Sequence, residues 1–130
     1  MRVVLDASVA VDALVAGTRR AAALNHLEEA EAYAPHLVDS EVLSALARLE
    51  RAGVLGPDEA SDAVSAWLQM PCERLAVEPW IPEIWALRSA VRVADAQYIV
   101  LARALDATLL TSDARLARAP IPGVSVLLVN

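Results

Sequence analysis

The stretch Arg2-Val3-Val4-Leu5-Asp6 decides the fold class, because it is a short β-branched run that stops at a carboxylate. Such a run is typical of a buried strand, and Ala7 to Leu14 after it predicts a short helix. The same order recurs in Thr108-Leu109-Leu110-Thr111-Ser112-Asp113, which is followed by a predicted helix at 114–118. The two stretches predict strands that each deliver an aspartate to the same edge of a sheet.

Around these two stretches, short strands alternate with longer helical segments. Further strands are predicted at 33–34, 74–77 and 124–129, and further helices at 18–32, 38–52, 57–69, 83–90 and 95–105. Pro120 with Pro122-Gly123 predicts a turn before the last strand. Because parallel neighbours need long return connections, the alternation predicts a parallel α/β sheet covered by helices on both faces.

The composition is that of one packed domain spanning 1–130, with 57% hydrophobic and 22% charged residues in a chain of 130. No apolar run is long enough for a membrane span, and Asp6 comes too early for a signal peptide, so we expect a cytoplasmic protein with no membrane partner. Cys72 is the only cysteine, which excludes an internal disulfide and a thiolate zinc site. We expect it to be an apolar filler of the core.

The basic residues exclude several nucleotide-dependent activities. All eleven are Arg, so lysine-dependent phosphate loops and Schiff-base chemistry are absent. Only four residues are Gly, and they form no dinucleotide-binding fingerprint. The net charge of −6 argues at first against nucleic acid. RNA is nevertheless not excluded, because acids gathered around divalent cations would account for much of that charge.

Four acids are expected to meet at the carboxyl edge of the sheet. Asp6 and Asp113 follow strands, whereas Glu41 and Asp95 stand in the first turns of predicted helices. Carboxylates brought together repel one another, so the cluster needs cations. With no His or Cys in reach, the oxygen ligands fit Mg²⁺ or Mn²⁺ rather than Zn²⁺. Such a site is suited to metal-assisted phosphodiester hydrolysis.

Each acid alone also fits a simpler role. Asp6 and Asp113 could cap the helices that follow them. Asp95 could interact with the dipole of its own helix, and Glu41 could be a solvated acid at a helix start.

Four segments, in chain order, resemble the signature of PIN-domain ribonucleases, and most closely that of the VapC toxins of type II toxin–antitoxin modules. They are Leu5-Asp6-Ala7-Ser8, Glu41-Val42-Leu43-Ser44-Ala45-Leu46, Ala94-Asp95-Ala96-Gln97-Tyr98-Ile99-Val100-Leu101-Ala102 and Leu109-Leu110-Thr111-Ser112-Asp113. The resemblance implies a three-layer α/β/α fold with a five-stranded parallel sheet. It also implies a Mg²⁺- or Mn²⁺-dependent endoribonuclease that forms a homodimer and is inhibited by a small antitoxin protein.

The resemblance assigns roles to six residues. Catalytic and metal-binding roles are carried over to Asp6, Glu41, Asp95 and Asp113, and supporting roles to Ser8 and Thr111. Many relatives have a hydroxyl or Tyr just before the third acid, where this chain has Val93-Ala94. That departure concerns substrate contacts rather than metal binding.

Other polar and aromatic residues have two interpretations each. Candidate phosphate contacts, with a solvated helix face as the alternative, are Arg19, Arg20, Arg88, Arg92, Arg115 and Arg118. Asp12 is expected to lie off the site. The three tryptophans are expected in the core or in dimer contacts.

The sequence therefore predicts a metal-dependent endoribonuclease acting on RNA, with two alternatives: an RNA-processing PIN nuclease without an antitoxin, and a non-catalytic module that docks a basic protein segment. A haloacid-dehalogenase phosphatase fits poorly, because Ser8 stands where that family needs a second Asp and the required Lys is absent.

Overall fold

The structure, a computed structural model, describes residues 1–119 and 121–130. Its elements in chain order are β1 (Arg2–Leu5), α1 (Ala7–Leu14), α2 (Arg20–Leu27), β2 (Glu31–Pro35), α3 (Leu37–Arg51), α4 (Pro57–Gln69), β3 (Glu73–Leu75), a 3₁₀ turn (Glu78–Trp80), α5 (Ile81–Ala86), α6 (Val93–Leu105), β4 (Thr108–Thr111), α7 (Ala114–Ala117) and β5 (Ser125–Leu128).

The five strands form one parallel sheet in the order β3-β2-β1-β4-β5. The predicted three-layer α/β/α fold with a five-stranded parallel sheet is confirmed. The chain builds outward from β1 through β2 to β3 and then returns to the other side of β1 for β4. The boundary between β1 and β4 is therefore the point of strand reversal where α/β sheets form their sites.

The register places the ends of β1 and β4 side by side. Leu5 pairs with Leu110, and the backbone N–H of Asp6 donates to the Leu110 carbonyl at 3.0 Å. The carboxyl ends of the two central strands therefore deliver Asp6 and the segment 111–113 to one place.

The core lies around the two central strands. Val3, Val4 and Leu5 of β1 are fully buried, as are Leu109 and Leu110 of β4. Helix α6 is buried along much of its length, which explains the dense run of apolar residues between positions 96 and 102. This helix contacts β1, β2 and β4, so its side chains are fixed relative to the ends of those strands.

Two helix predictions are wrong in extent. The helix predicted at 18–32 covers only Arg20–Leu27, and Arg19 rather than Thr18 precedes it as the N-cap. Its predicted end lies in β2, because Glu31 and Ala32 pair with β1. The helix predicted at 83–90 is Ile81–Ala86, with hydrogen-bonded turns after it.

The remaining boundaries differ from prediction by two residues or fewer at either end; β2, for example, begins at Glu31 rather than 33. The predicted turn at Pro120 lies outside the described residues. Gly123 has φ of 78°, a left-handed conformation that glycine adopts without a steric penalty. Within the described residues, no helix combines the length and hydropathy needed to cross a bilayer.

Trp67 is a core residue, as predicted, whereas Trp85 is 60% exposed. The Trp67 indole Nε1 donates to Asp39 Oδ1 at 2.8 Å, and Arg74 donates to both oxygens of the same carboxylate. Hydrogen bonds from Arg74 lower the pKa of Asp39.

Cys72 is half-buried against the core, and burial raises the pKa of its thiol to about 11. Its predicted role as an apolar filler agrees with this placement.

Asp39→Ala is expected to lower the free energy of unfolding by about 1–2 kcal/mol, because it leaves the buried indole N–H of Trp67 without its acceptor. The lowered pKa of Asp39 means that the wild-type contribution is present above pH 3.8 and is lost as the pH falls through the folded value. Urea unfolding measures the change. Asp62→Ala on the exposed face of α4 is the control, and equal effects of the two substitutions would contradict this role for Asp39.

Candidate active site

A pocket of about 590 Å³ opens beside the carboxyl ends of β1 and β4. All four predicted acids line it: Asp6, Glu41, Asp95 and Asp113. They come from the end of β1, from α3, from α6 and from the start of α7. The structure therefore brings together side chains that are separated by up to 107 positions in the sequence, and it places Ser8 in the same pocket lining.

Asp6 is buried, and two hydroxyls hold one of its oxygens. Its Oδ2 accepts hydrogen bonds from Ser8 Oγ at 2.6 Å and from Thr111 Oγ1 at 2.8 Å. Each hydroxyl also accepts a hydrogen bond from the backbone. The Ser112 N–H donates to Ser8 Oγ at 2.9 Å, and the Asp113 N–H donates to Thr111 Oγ1 at 3.0 Å. The other oxygen of Asp6, Oδ1, makes no hydrogen bond within the described part of the chain.

The side chain of Asp6 makes no capping hydrogen bond to α1, so the simpler capping interpretation is wrong for this residue. Burial raises the pKa of Asp6, and the hydrogen bonds from Ser8 and Thr111 offset this only in part. The negative charges of Glu41 and Asp95 raise it further. The site therefore disfavours the ionised carboxylate unless a positive charge comes close.

Glu41 is half-buried and lies in the second turn of α3 rather than the first. The Tyr98 Oη, on α6, donates to Glu41 Oε1 at 2.6 Å. Tyr98 is fully buried, and burial together with the Glu41 hydrogen bond raises the pKa of its phenol far above the ordinary value. Tyr98 is therefore a permanent donor, and Glu41 is not a freely solvated acid.

Asp95 and Asp113 are neutralised by arginines of the chain itself. Arg92 donates to both oxygens of Asp95 at 3.1 and 3.2 Å. Arg115 Nη2 bridges the two acids, at 3.3 Å from Asp95 Oδ2 and 2.9 Å from Asp113 Oδ2. Asp95 is 5% exposed, so these contacts offset much of the cost of burying its charge.

Asp113 also performs the simpler role that its position allows. Its Oδ1 accepts the backbone N–H groups of Arg115 and Leu116 and so caps α7. Burial raises the pKa of Asp113, but the hydrogen bonds from Arg115 and the backbone lower it more, and the net pKa is below the ordinary value. One oxygen of this carboxylate is thus fixed by the helix, while the other faces Arg115.

The donor set fits a hard divalent cation, because the acids supply only oxygen ligands and Asp6 Oδ1 has no hydrogen-bond partner in the described part of the chain. As the side chains stand, no three His, Cys, Asp or Glu residues among those described are grouped to hold an ion. Arg115 stands between two of the acids, and its side chain is 55% exposed. A cation held by both Asp95 and Asp113 would require this exposed guanidinium to move away.

The prediction that Asp12 lies off the site is wrong. Asp12 lines the pocket, and its Oδ2 accepts a hydrogen bond from Ser112 Oγ at 2.5 Å. Asp12 stands four residues after Ser8, so both residues lie on one face of α1. That spacing is the sequence signal that could have placed it. Tyr98, for which no role was predicted, follows Asp95 at a spacing of three on α6, which is also a same-face spacing.

The candidate phosphate contacts divide between two environments. Arg19 and Arg92 line the pocket, and so does Arg48, which the sequence did not single out. Arg88 instead stacks on the Trp85 ring at 4.4 Å and donates to the Trp85 carbonyl. It is exposed, as the alternative interpretation expects, but it lies in the turn after α5 rather than on a helix face. Arg20 is not among the residues that line this pocket in the described part of the chain.

The sequence of this chain matches a known family and several known proteins. Residues 3–122 match the model of the PIN domain family. The chain is 39% identical over 119 residues to Ribonuclease VapC3 of Mycobacterium tuberculosis, which covers 91% of this chain and 87% of that protein. It is 40% identical over 119 residues to Ribonuclease VapC1 of the same organism, with 90% of each chain covered.

Solved structures share the fold. The crystal structure of VapBC2 from Rickettsia felis, bound to a DNA fragment from their promoter, matches with a TM-score of 0.74 at 16% identity and full coverage of both chains. Mycobacterium tuberculosis VapC20, described as a sarcin–ricin loop cleaving toxin, matches with a TM-score of 0.67 at 16% identity, covering 95% of this chain and 98% of that one. The match over residues 3–122 and the identity to VapC ribonucleases show that the chain belongs to the PIN-domain family and, within it, to the VapC group.

Proposed function

We propose that this chain is a divalent-metal-dependent endoribonuclease and the toxin of a type II toxin–antitoxin pair. The observation that supports this most strongly is the meeting of four acids in one pocket, in a chain whose relatives are named as ribonucleases. Asp6, Asp95 and Asp113 would hold one or two Mg²⁺ or Mn²⁺ ions, and Glu41 would be a further ligand or would position the attacking water. When bound, the cation makes water more acidic and stabilises negative charge on the phosphate.

The chain's own residues prepare the site for this chemistry. Ser8 and Thr111 fix Asp6 by one oxygen, so its Oδ1 is left for a ligand in the pocket. Tyr98 fixes Glu41 Oε1 and leaves Oε2 to accept a proton from a water molecule. That water forms a new P–O bond in line with the P–O bond that breaks, and the leaving oxygen departs on the opposite side and takes a proton from solvent.

Arg115 has a second part in this scheme. Its guanidinium neutralises Asp95 and Asp113 while no cation is bound, which limits the repulsion among the acids. Once displaced from the two acids, its guanidinium would be available to contact the phosphate. Arg92 donates to Asp95 through both oxygens and keeps that side chain in one orientation.

The metal dependence is tested by removing divalent cations. We expect chelation by EDTA to reduce RNA cleavage by the purified protein at least about a hundredfold, because a catalytic metal supplies several kcal/mol of transition-state stabilisation. Added Mg²⁺ or Mn²⁺ should restore the activity. Cleavage that persists unchanged in EDTA would contradict the metal-dependent mechanism. A protein that cleaves no RNA with any metal, yet binds a basic peptide, would support the docking module instead.

We also propose a small antitoxin protein as partner and a homodimer as the functional assembly. Large hydrophobic side chains on the helices are exposed, among them Leu43, Leu68 and Trp85, and such side chains are common at protein interfaces. Light scattering should give twice the 13.8 kDa of one chain. Growth arrest on expression, relieved by a protein encoded beside this chain, would support the toxin over an RNA-processing nuclease.

A further inference from the structure

The pocket is electrically polarised along its length. Helices α1 and α3 both begin at the carboxyl edge of the parallel sheet and run back from it, because each follows a strand. The pocket is lined by both helices. Asp6, Asp95 and Asp113 lie where the strands end, whereas Arg48 is near the far end of α3 and Arg19 follows the far end of α1.

Arg48 shares one stripe of α3 with Glu41 and Ser44, at spacings of seven and four residues. Seven residues correspond to about 10 Å along a helix. Arg48 is exposed, and its guanidinium makes no ion pair or side-chain hydrogen bond with any described residue. Arg92 and Arg115 differ from Arg48, because both form ion pairs with Asp95.

Arg19, on a different element of the pocket lining, has the same properties. It lies in the segment between α1 and α2, lines the same pocket and is exposed. Within the described ranges its guanidinium also has no carboxylate partner. Two positive charges without partners therefore stand at one end of a pocket whose other end carries the acids.

From this arrangement we propose that Arg48 and Arg19 bind backbone phosphates of the RNA strand next to the one that is cleaved. The inference rests on the proposed ribonuclease function and assigns its substrate-binding residues. A cation at the acid end would offset repulsion only for the phosphate that reacts, so the neighbouring phosphates need positive charge of their own. Arginine meets this need, because its planar guanidinium binds phosphate through two donors. The strand then crosses the pocket from the acids toward the far ends of α1 and α3.

The test measures RNA binding without cleavage. In the Asp6→Asn background, a fluorescein-labelled oligouridylate of about 12 nucleotides is titrated with protein and followed by anisotropy. The titration is repeated between about 50 and 200 mM NaCl. Arg48→Gln and Arg19→Gln are each expected to weaken binding about fivefold at 0.1 M salt and to reduce the salt slope by about 0.7, the effect of one phosphate contact on a single strand. The double substitution should weaken it about 25-fold.

The controls separate a phosphate contact from a general loss of charge. Arg51→Gln removes the same charge from the same helix three residues farther on, outside the pocket lining, and should leave the slope unchanged. Arg48→Lys should recover most of the slope, because it restores the charge. Arg48→Gln with the parent's affinity and slope would overturn the inference and favour an acidic protein segment as the ligand of these arginines. That result leaves cleavage by the wild type intact, whereas a wild type that neither binds nor cleaves RNA would overturn the proposed function as well.

Discussion

Asp6→Asn is expected to reduce RNA cleavage about a thousandfold while the protein stays folded. Ser8 and Thr111 both donate to one oxygen of Asp6, and they will select the amide oxygen of Asn for that position. The amide NH₂ then faces the pocket where Oδ1 stood. An NH₂ group repels a cation, so the substitution removes a ligand without changing the shape of the side chain.

Stability separates this loss of function from unfolding. Burial raises the pKa of Asp6, so the ionised form costs stability once the pH rises through its folded pKa. Asparagine has no charge, and we expect the thermal midpoint at neutral pH and without metal to be equal to the wild type's or higher. Asp62→Asn on the exposed face of α4 is the matched control and should cleave normally. A folded Asp6→Asn protein with full metal-dependent cleavage would falsify the role of Asp6.

Thr111→Val should weaken both the fold and the binding of a divalent cation. Thr111 is fully buried, donates to Asp6 Oδ2 and accepts the backbone N–H of Asp113. Valine keeps the shape but leaves the backbone N–H of Asp113 without its acceptor and removes one of the two donors to Asp6 Oδ2, which lowers the free energy of unfolding by about 1–3 kcal/mol. Because Asp6 then loses one of its two supports, affinity for Mn²⁺ should fall about 10- to 100-fold.

Denaturant unfolding and titration calorimetry with Mn²⁺ measure these two effects on the same samples. Thr111→Ser keeps the hydroxyl and is the matched control, so it should retain most of the Mn²⁺ affinity. If Thr111→Val matched the wild type in both measurements, the hydroxyl would have no part in positioning Asp6.

The strands and the meeting of the acids could be predicted because both follow from local patterns. A β-branched run that stops at an acid predicts a strand that places a carboxylate at the sheet edge, and this holds for Asp6 and Asp113. The beginning of β2 could not be predicted in the same way. Glu31 and Ala32 are compatible with a helix by composition, and their strand conformation comes from pairing with β1.

The contacts that surround the four acids were less predictable than the acids themselves. The bridge from Arg115 to Asp95 joins residues twenty positions apart and depends on where α7 packs. Arg48 belongs to no recognisable sequence motif. Its place in the pocket lining depends on which face of α3 is turned to the pocket. Tyr98 lies on the same helix face as Asp95, and Asp12 on the same face as Ser8. Their hydrogen bonds to Glu41 and Ser112, however, depend on how α6 and α1 pack, which the sequence does not show.

The central claim, that the acids form one divalent-cation site, is tested most directly by anomalous X-ray diffraction from crystals of the protein soaked in Mn²⁺. We predict an anomalous peak inside the pocket in contact with Asp6 Oδ1, with Arg115 displaced from Asp95. Crystals soaked to saturation that show no peak in the pocket, or a peak that does not contact Asp6, would contradict the account.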